Sequence, residues 1–236
     1  MRRHSLKVRG QRALITGGQR GLGAAFAAEL LRRGADRVYV TARTPKASDD
    51  PRVIPLPLDV TDPDSVAALA EAAADVAIVF NNAGVAGGIP LLQTTPETIS
   101  AIFDTNVLGP IRVAQAFAPL LGHHDESLLV NLHSVLSWLA GAGAYGASKA
   151  ALWSVTNSLR LELRAQGTSV VGVHLDLADT DMTARFTDHV KISPADVASR
   201  VLNAIERGEE EVLVDDASRA AKRLLAGPVQ ELIARL

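Results

Sequence analysis

The strongest constraint on this chain is a rhythm that runs through almost its whole length: short apolar runs alternate with longer stretches of helical spacing. The runs at residues 13–16, 37–42, 53–58, 76–80, 127–133, 169–175 and 211–214 read as strands, and the stretches at 24–33, 64–74, 96–121, 145–166 and 195–208 read as helices. Runs such as Val76-Ala77-Ile78-Val79-Phe80 are apolar throughout rather than at alternate positions. Strands of that kind belong to parallel sheets whose two faces are both covered. Right-handed crossovers then give a doubly wound α/β sheet with helices on both faces, and a ligand crevice at the carboxyl ends of its strands. With 236 residues, no internal repeat and no linker-like stretch, residues 1–236 are expected to form one domain.

Composition narrows the function. A formal net charge of −2 argues against nucleic acid as a main partner. The absence of cysteine removes disulfide scaffolds, zinc–thiolate sites, iron–sulfur clusters and cysteine nucleophiles. His123, His124, His133 and His174 lack acidic companions at ligand spacing, so no metal site is expected and these residues read as solvated or core histidines. The first apolar run, Ala13-Leu14-Ile15, is too short for a signal peptide or a membrane span. A soluble, cytoplasmic protein without a membrane partner is the expectation.

Three groups of residues carry chemistry. The segment Thr16-Gly17-Gly18-Gln19-Arg20-Gly21-Leu22-Gly23 joins the first strand to the first helix. Glycines there admit positive φ and let a pyrophosphate approach backbone N–H groups at a helix N-terminus. Taken alone, such a turn is equally the mark of a plain structural loop. The second strand ends Val40-Thr41-Ala42-Arg43, with no acid to grip a ribose 2′-hydroxyl, and Arg20 sits in the glycine turn. Two guanidiniums suit a 2′-phosphate, which favours NADP(H) over NAD(H); the other reading is two solvated surface arginines. Finally, Tyr145 and Lys149 are four residues apart and share a helix face. A neighbouring ammonium is expected to lower the phenol pKa and make Tyr145 a proton donor and acceptor for a carbonyl/alcohol pair.

Over residues 9–225 the sequence resembles the classical short-chain dehydrogenase/reductases. The resemblance is carried, in family order, by Thr16-Gly17 with Gly21-Leu22-Gly23, Asp59-Val60, Asn82-Ala83-Gly84, Asn106, Ser134, Tyr145 with Lys149, and Thr180. It implies a Rossmann-type single domain that transfers a hydride between NADP(H) and a small-molecule carbonyl or alcohol. It further implies Tyr145 as the acid/base and Lys149 as its partner and a ligand of the nicotinamide ribose. Ser134 is then the hydroxyl that orients the substrate carbonyl. Asn106 is implied to sit on a distorted helix and position a water in a proton relay. Gly17, Gln19, Arg20, Gly21, Leu22, Gly23, Arg43, Asp59, Val60, Asn82, Ala83, Gly84, Ala178 and Thr180 are the implied cofactor contacts, beside Tyr145 and Lys149. The residues alone leave Asp59 open as a cap after the third strand. The family also implies a homodimer or homotetramer, paired through the helices at 96–121 and 145–166.

Two departures stand out. The family's serine commonly lies about thirteen residues before its tyrosine, whereas Ser134 is eleven before Tyr145, with Ser137 as the other hydroxyl in reach. Leu175-Asp176 stands where the family has Pro-Gly, and an aspartate there threatens cofactor affinity. A cofactor-binding sensor or interaction protein without catalysis is therefore the alternative reading. The short segment 183–194 is expected as a substrate lid over an open site. The tail at 217–236 shows a helical apolar stripe, expected to pack on its own domain.

Overall fold

The computed structural model describes residues 6–233. Seven strands form one all-parallel sheet: β1 (Arg12–Ile15), β2 (Arg37–Ala42), β3 (Val53–Pro57), β4 (Ile78–Asn81), β5 (Ser127–Leu132), β6 (Thr168–His174) and β7 (Glu211–Leu213). Their order in the sheet is β3-β2-β1-β4-β5-β6-β7, so the chain winds outward from β1 and then crosses back to β4. That reversal between β1 and β4 is where a doubly wound sheet opens its crevice.

The helices are α1 (Gly21–Arg32), α2 (Pro63–Ala72), α3 (Pro96–Phe103), α4 (Gly109–Leu121), α5 (Gly143–Glu162), α6 (Pro194–Glu206) and α7 (Asp216–Leu224). Alternate side chains of each strand feed two cores. Ile78 and Phe80 join Phe26 and Leu30 of α1 and Val201 and Leu202 of α6. Val79 joins Leu69 of α2 and Val113 and Phe117 of α4 on the opposite face. Both faces of β4 are thus dry, which is why its sequence shows no alternation. Asp62, Thr95, Ser193 and Asp215 cap the helices that follow them, each accepting a backbone N–H two or three residues on. Such caps each contribute about 1 kcal/mol.

The structure departs from the sequence pattern in two places that matter. The stretch at 96–121 is not one continuous helix: α3 and α4 are joined by a wider π turn, Asp104–Leu108, which matches the distorted helix implied around Asn106. Pro110 has no N–H to return to the preceding turn, and the backbone widens just before it. The tail is helical only through Leu224, because Gly227-Pro228 ends the stripe. The chain then makes a short 3₁₀ turn, Val229–Glu231, and pairs along the β5–α5 loop, with Ala140 N–H donating to Leu232 O at 2.6 Å. The last three residues of the tail, 234–236, lie outside the described residues. No helix among the described residues is long and apolar enough to cross a membrane.

Candidate active site

The residues singled out in sequence lie at or just past the carboxyl ends of β1 to β6, or on the two helical segments facing those ends. The glycine turn leaves β1 with Gly17 and Gly21 at φ of +64° and +53°, conformations that favour glycine. A Cβ on Gly23 would fall 2.3 Å from Gly17 O, so the first turn of α1 packs directly on the glycine turn. Arg20 precedes α1 without a side-chain cap, and the helix has no acid in its first turn. Its first N–H groups thus have no side-chain acceptor, and such a helix start suits an anion. Leu22 packs partly on the core below.

Asn82 and Ala83 staple the turn to β4. Both donate their backbone N–H to Thr16 Oγ1, at 3.0 and 2.9 Å, and Asn82 Nδ2 donates to Thr16 O and Gly17 O. Gln19 faces the other way: its amide closes a two-way pair with the Lys46 backbone, at 2.6 and 2.9 Å, and so ties the turn to the segment after β2. Asp59 accepts the N–H and hydroxyl of Thr61, at 2.9 and 2.7 Å, closing a local turn after β3, while the cap of the following helix is Asp62. The Asp59 carboxyl is held below the usual range by its bonds to Thr61 and more weakly by the nearby Arg43 guanidinium. Val60 is buried, and a Cβ on Gly109 would meet it at 2.9 Å. Arg20 reaches across the crevice to Asp181, 3.7 Å away, with both side chains largely exposed. Thr180 stands opposite Gly21, while Ala178 is buried and its carbonyl accepts the Thr183 hydroxyl.

The second half of the crevice is more tightly held. Ser134 follows β5 and caps the turn Val135–Ser137. Its Oγ accepts Leu136 N–H at 3.1 Å, and its own N–H donates to Ser137 Oγ at 3.4 Å. Ser137 is thus tied back to the Ser134 backbone. Tyr145 and Lys149 share one face of α5, with Lys149 Nζ 5.8 Å from the ring centroid. That ammonium donates to Leu132 O at 2.8 Å, and burial pulls its pKa down to about 8. The expected lowering of the phenol is not seen. Burial pushes Tyr145 up to about 12, with the Ser134 hydroxyl acting in the opposite sense.

Asn106, wholly buried on the π turn, clamps the segment after Gly84. Its Oδ1 accepts Val85 N–H at 2.9 Å, and its Nδ2 donates to Val85 O at 2.9 Å and to Ser148 Oγ at 3.0 Å. A Cβ on Gly84 would lie 3.2 Å from Asn106 Oδ1 and 3.7 Å from Lys149 Nζ, so that glycine lets the three groups meet. Ser148, unremarked in the sequence, links the pair: its hydroxyl donates to Tyr145 O at 2.7 Å. Its only advance signal is its place on the helix face beside Lys149.

Asp176, the departure at the end of β6, needs no glycine, since no non-glycine residue among those described has positive φ. Its N–H donates to Asp215 Oδ2 at 2.8 Å, which draws this stretch of chain toward the start of α7. Burial and Asp215 push the Asp176 carboxyl up, while His189 acts in the opposite sense.

Comparison with known proteins settles the family. The family model for short chain dehydrogenase matches residues 11–191. The chain belongs to the short-chain dehydrogenase family. It is 34% identical to the 1-deoxy-11-beta-hydroxypentalenate dehydrogenase of Streptomyces avermitilis over 82% of this chain and 80% of that one. It is also 34% identical to the short chain dehydrogenase pigC of Monascus ruber, over 73% of this chain and 64% of that protein. Among solved structures, a short chain dehydrogenase from Burkholderia cenocepacia in complex with NADP superposes with a TM-score of 0.90 at 32% identity, covering 96% of this chain and 97% of that one. The fold and family membership make this an oxidoreductase of the short-chain dehydrogenase type.

Proposed function

We propose that the chain is an NADP(H)-dependent oxidoreductase acting on a carbonyl/alcohol pair, with Tyr145 as its acid/base. The observation that carries this reading is the grouping of Ser134, Tyr145 and Lys149 at the carboxyl end of β5, with Asn106 and Ser148 bonded behind them. In this reading the glycine turn, through Gly17, Gly21, Leu22 and Gly23, receives the pyrophosphate. Arg20 and Arg43 take the 2′-phosphate, with Gln19 shaping that corner. Asp59 and Val60 lie beside the adenine, and Asn82, Ala83 and Gly84 follow the nucleotide past the end of β4. Ala178 and Thr180 serve the carboxamide, and Tyr145 and Lys149 the nicotinamide ribose. The uncapped, acid-free start of α1 fits an anion, and the NADP of the Burkholderia cenocepacia relative supports the choice.

When bound, the nicotinamide supplies or receives the hydride. The protein's part is the oxygen and its proton. Because Leu136 N–H already occupies an acceptor position on Ser134 Oγ, the Ser134 proton is free to be donated to a substrate oxygen. A phenol held near 12 stays protonated at neutral pH and so arrives as a donor, which suits carbonyl reduction. Lys149, with a pKa of about 8, stands beside the ring to return a proton after turnover. Asn106 keeps the Gly84–Val85 backbone clear of that path. A homodimer or homotetramer in the cytoplasm completes the reading. Leu108 and Leu161, on the two expected pairing segments, are 46% and 69% exposed. Light scattering tests that assembly.

Tyr145→Phe is expected to lower kcat by about a thousandfold or more while leaving NADPH affinity within about twofold. Calorimetric titration with NADPH and NADH, followed by a carbonyl screen, is the measurement. Wild-type rates in the Phe variant would remove Tyr145 from its role. Failure of both nucleotides to bind would favour a protein without this chemistry.

A further inference from the structure

Behind the catalytic group, between β5 and β6, lies a buried polar chain that the proton chemistry above does not use. His133 follows β5 and His174 ends β6, both almost fully buried, with ring centroids 4.5 Å apart. His133 Nδ1 is 3.0 Å from His174 Nε2, His133 Nε2 is 2.9 Å from Thr156 Oγ1, and His174 Nδ1 is 3.2 Å from Ser134 O. Trp138 stacks on the His174 ring at 3.9 Å between centroids and 18° between planes.

The direction of this chain follows from its last member. A carbonyl only accepts, so the proton between His174 and Ser134 O belongs to His174 Nδ1. In a neutral ring, Nε2 is then a lone pair and must accept from His133 Nδ1–H. His133 Nε2 is a lone pair in turn and accepts the Thr156 hydroxyl. Thr156 Oγ1 has an alternative recipient, Leu152 O at 2.7 Å, and accepts Asn131 Nδ2 at 2.8 Å. If Thr156 gave its proton to Leu152, His133 would have to donate to Thr156. His174 Nδ1 would then face the Ser134 carbonyl lone pair to lone pair, unless His174 became an imidazolium. Its one neighbouring anion among the described residues is Glu211, 3.7 Å away, whose carboxylate is already engaged by Lys222 at 2.8 Å and Trp153 at 3.0 Å. Lys149 and Arg160 from α5, and Lys222 from α7, oppose a positive charge on the pair, as does burial. The neutral chain pointing at Ser134 is the arrangement that satisfies every member.

We propose that His174 is the positioning residue for Ser134: its Nδ1–H, in a ring fixed by His133 and Trp138, holds the Ser134 carbonyl and with it the turn that aims the Ser134 hydroxyl. The same carbonyl also accepts Ser137 N–H at 3.0 Å, and the flanking His133 and Val135 N–H groups donate at 2.8 Å each to Val173 O of β6 and to Leu175 O just past it. His174 therefore completes the set of bonds that locks the serine's backbone. The inference rests on the reading of Ser134 as the hydroxyl that holds the substrate oxygen.

Two measurements test it. Long-range proton–nitrogen NMR of the imidazoles at neutral pH is expected to show His133 and His174 neutral, each with its proton on Nδ1. A His174 protonated on Nε2 alone would overturn the proposal whatever the activity. In kinetics, Asn at position 174 keeps a donor where Nδ1 stood, whereas Gln reaches toward His133 and leaves the Ser134 carbonyl without its partner. His174→Gln is expected to lower kcat about tenfold at unchanged NADPH KM, and His174→Asn to stay within about twofold of wild type. Equal losses in the two variants would mean a merely structural role and overturn the positioning. Ser134→Ala separates the layers. If it lowers kcat while the two His174 variants behave alike, only the positioning fails. If it leaves kcat unchanged, the serine's role and the positioning fall together.

Discussion

At the β5–β6 end of the crevice the polar side chains are buried and bonded: Asn106 to Val85 and Ser148, Lys149 to Leu132, Ser134 to Leu136. At the β1–β2 end the groups with the most chemical consequence are loose. Arg20 and Asp181 pair at 3.7 Å with side chains 80% and 85% exposed, and no hydrogen bond among the described residues holds the Arg43 side chain. The difference separates two tasks. A proton donor must be in place before the substrate arrives, because each degree of freedom left in it is lost again in the transition state. A nucleotide's distal phosphate needs only a favourable field, which exposed guanidiniums supply without cost to the fold.

The comparison breaks most easily at Asn106. Asn106→Ala would leave the Val85 N–H and C=O and the Ser148 hydroxyl without their buried partner. The expected loss is about 2–4 kcal/mol of stability by urea denaturation, with kcat reduced further than NADPH affinity. A loss under about 1 kcal/mol would mean that this end is not over-determined after all.

The buried histidines sharpen it next. His133 is held well below the ordinary histidine range and His174 is pulled down to about 4, in both cases chiefly by burial. In the unfolded chain both titrate near ~6.5. As pH falls through that value, the unfolded state binds protons that the native state refuses. Stability is therefore full above about pH 6.5 and falls below it by up to about 1.4 kcal/mol per pH unit for each ring. For His174 the loss levels off near its folded value of about 4. Urea midpoints from neutral to mildly acid pH measure the slope, and His133→Asn combined with His174→Asn should flatten it. A slope unchanged in that double variant would place the acid sensitivity elsewhere.

The same contrast explains what could be read in the chain. Strands and helices were legible because burial of both sheet faces writes itself into unbroken apolar runs, and because the stretches between them keep helical spacing. Asn106 was legible through the resemblance, which implies a distorted helix there, and the π turn Asp104–Leu108 is that distortion. The protein partner of Gln19 could not be read. It is the Lys46 backbone, 27 residues on, and nothing in the local pattern encodes a pairing at that distance. The phenol's pKa was misjudged for a related reason. Four-residue spacing shows that Tyr145 and Lys149 share a face, but not that a carbonyl from β5 engages the ammonium while burial dominates the phenol. The tail's stripe was read as helix because apolar spacing outweighed Gly227-Pro228, which in fact ends it.

The smallest expected effect on the fold carries the most information about the nucleotide. Arg20→Ala and Arg43→Ala should each change stability by less than about 0.5 kcal/mol, since exposed side chains with weak partners contribute little to folding. If the two guanidiniums bind a 2′-phosphate, each variant should weaken NADPH about tenfold and leave NADH within about twofold, because only the phosphorylated ribose presents the anion they address. Asp181→Asn should act in the opposite sense. It releases Arg20 from its 3.7 Å partner and removes a negative charge from the rim, so NADPH should bind slightly tighter. Parallel calorimetric titrations of the three variants with both nucleotides decide it. Equal weakening of NADPH and NADH in the arginine variants would show that they shape the turn rather than select the phosphate, and the loose end of the crevice would then be structural too.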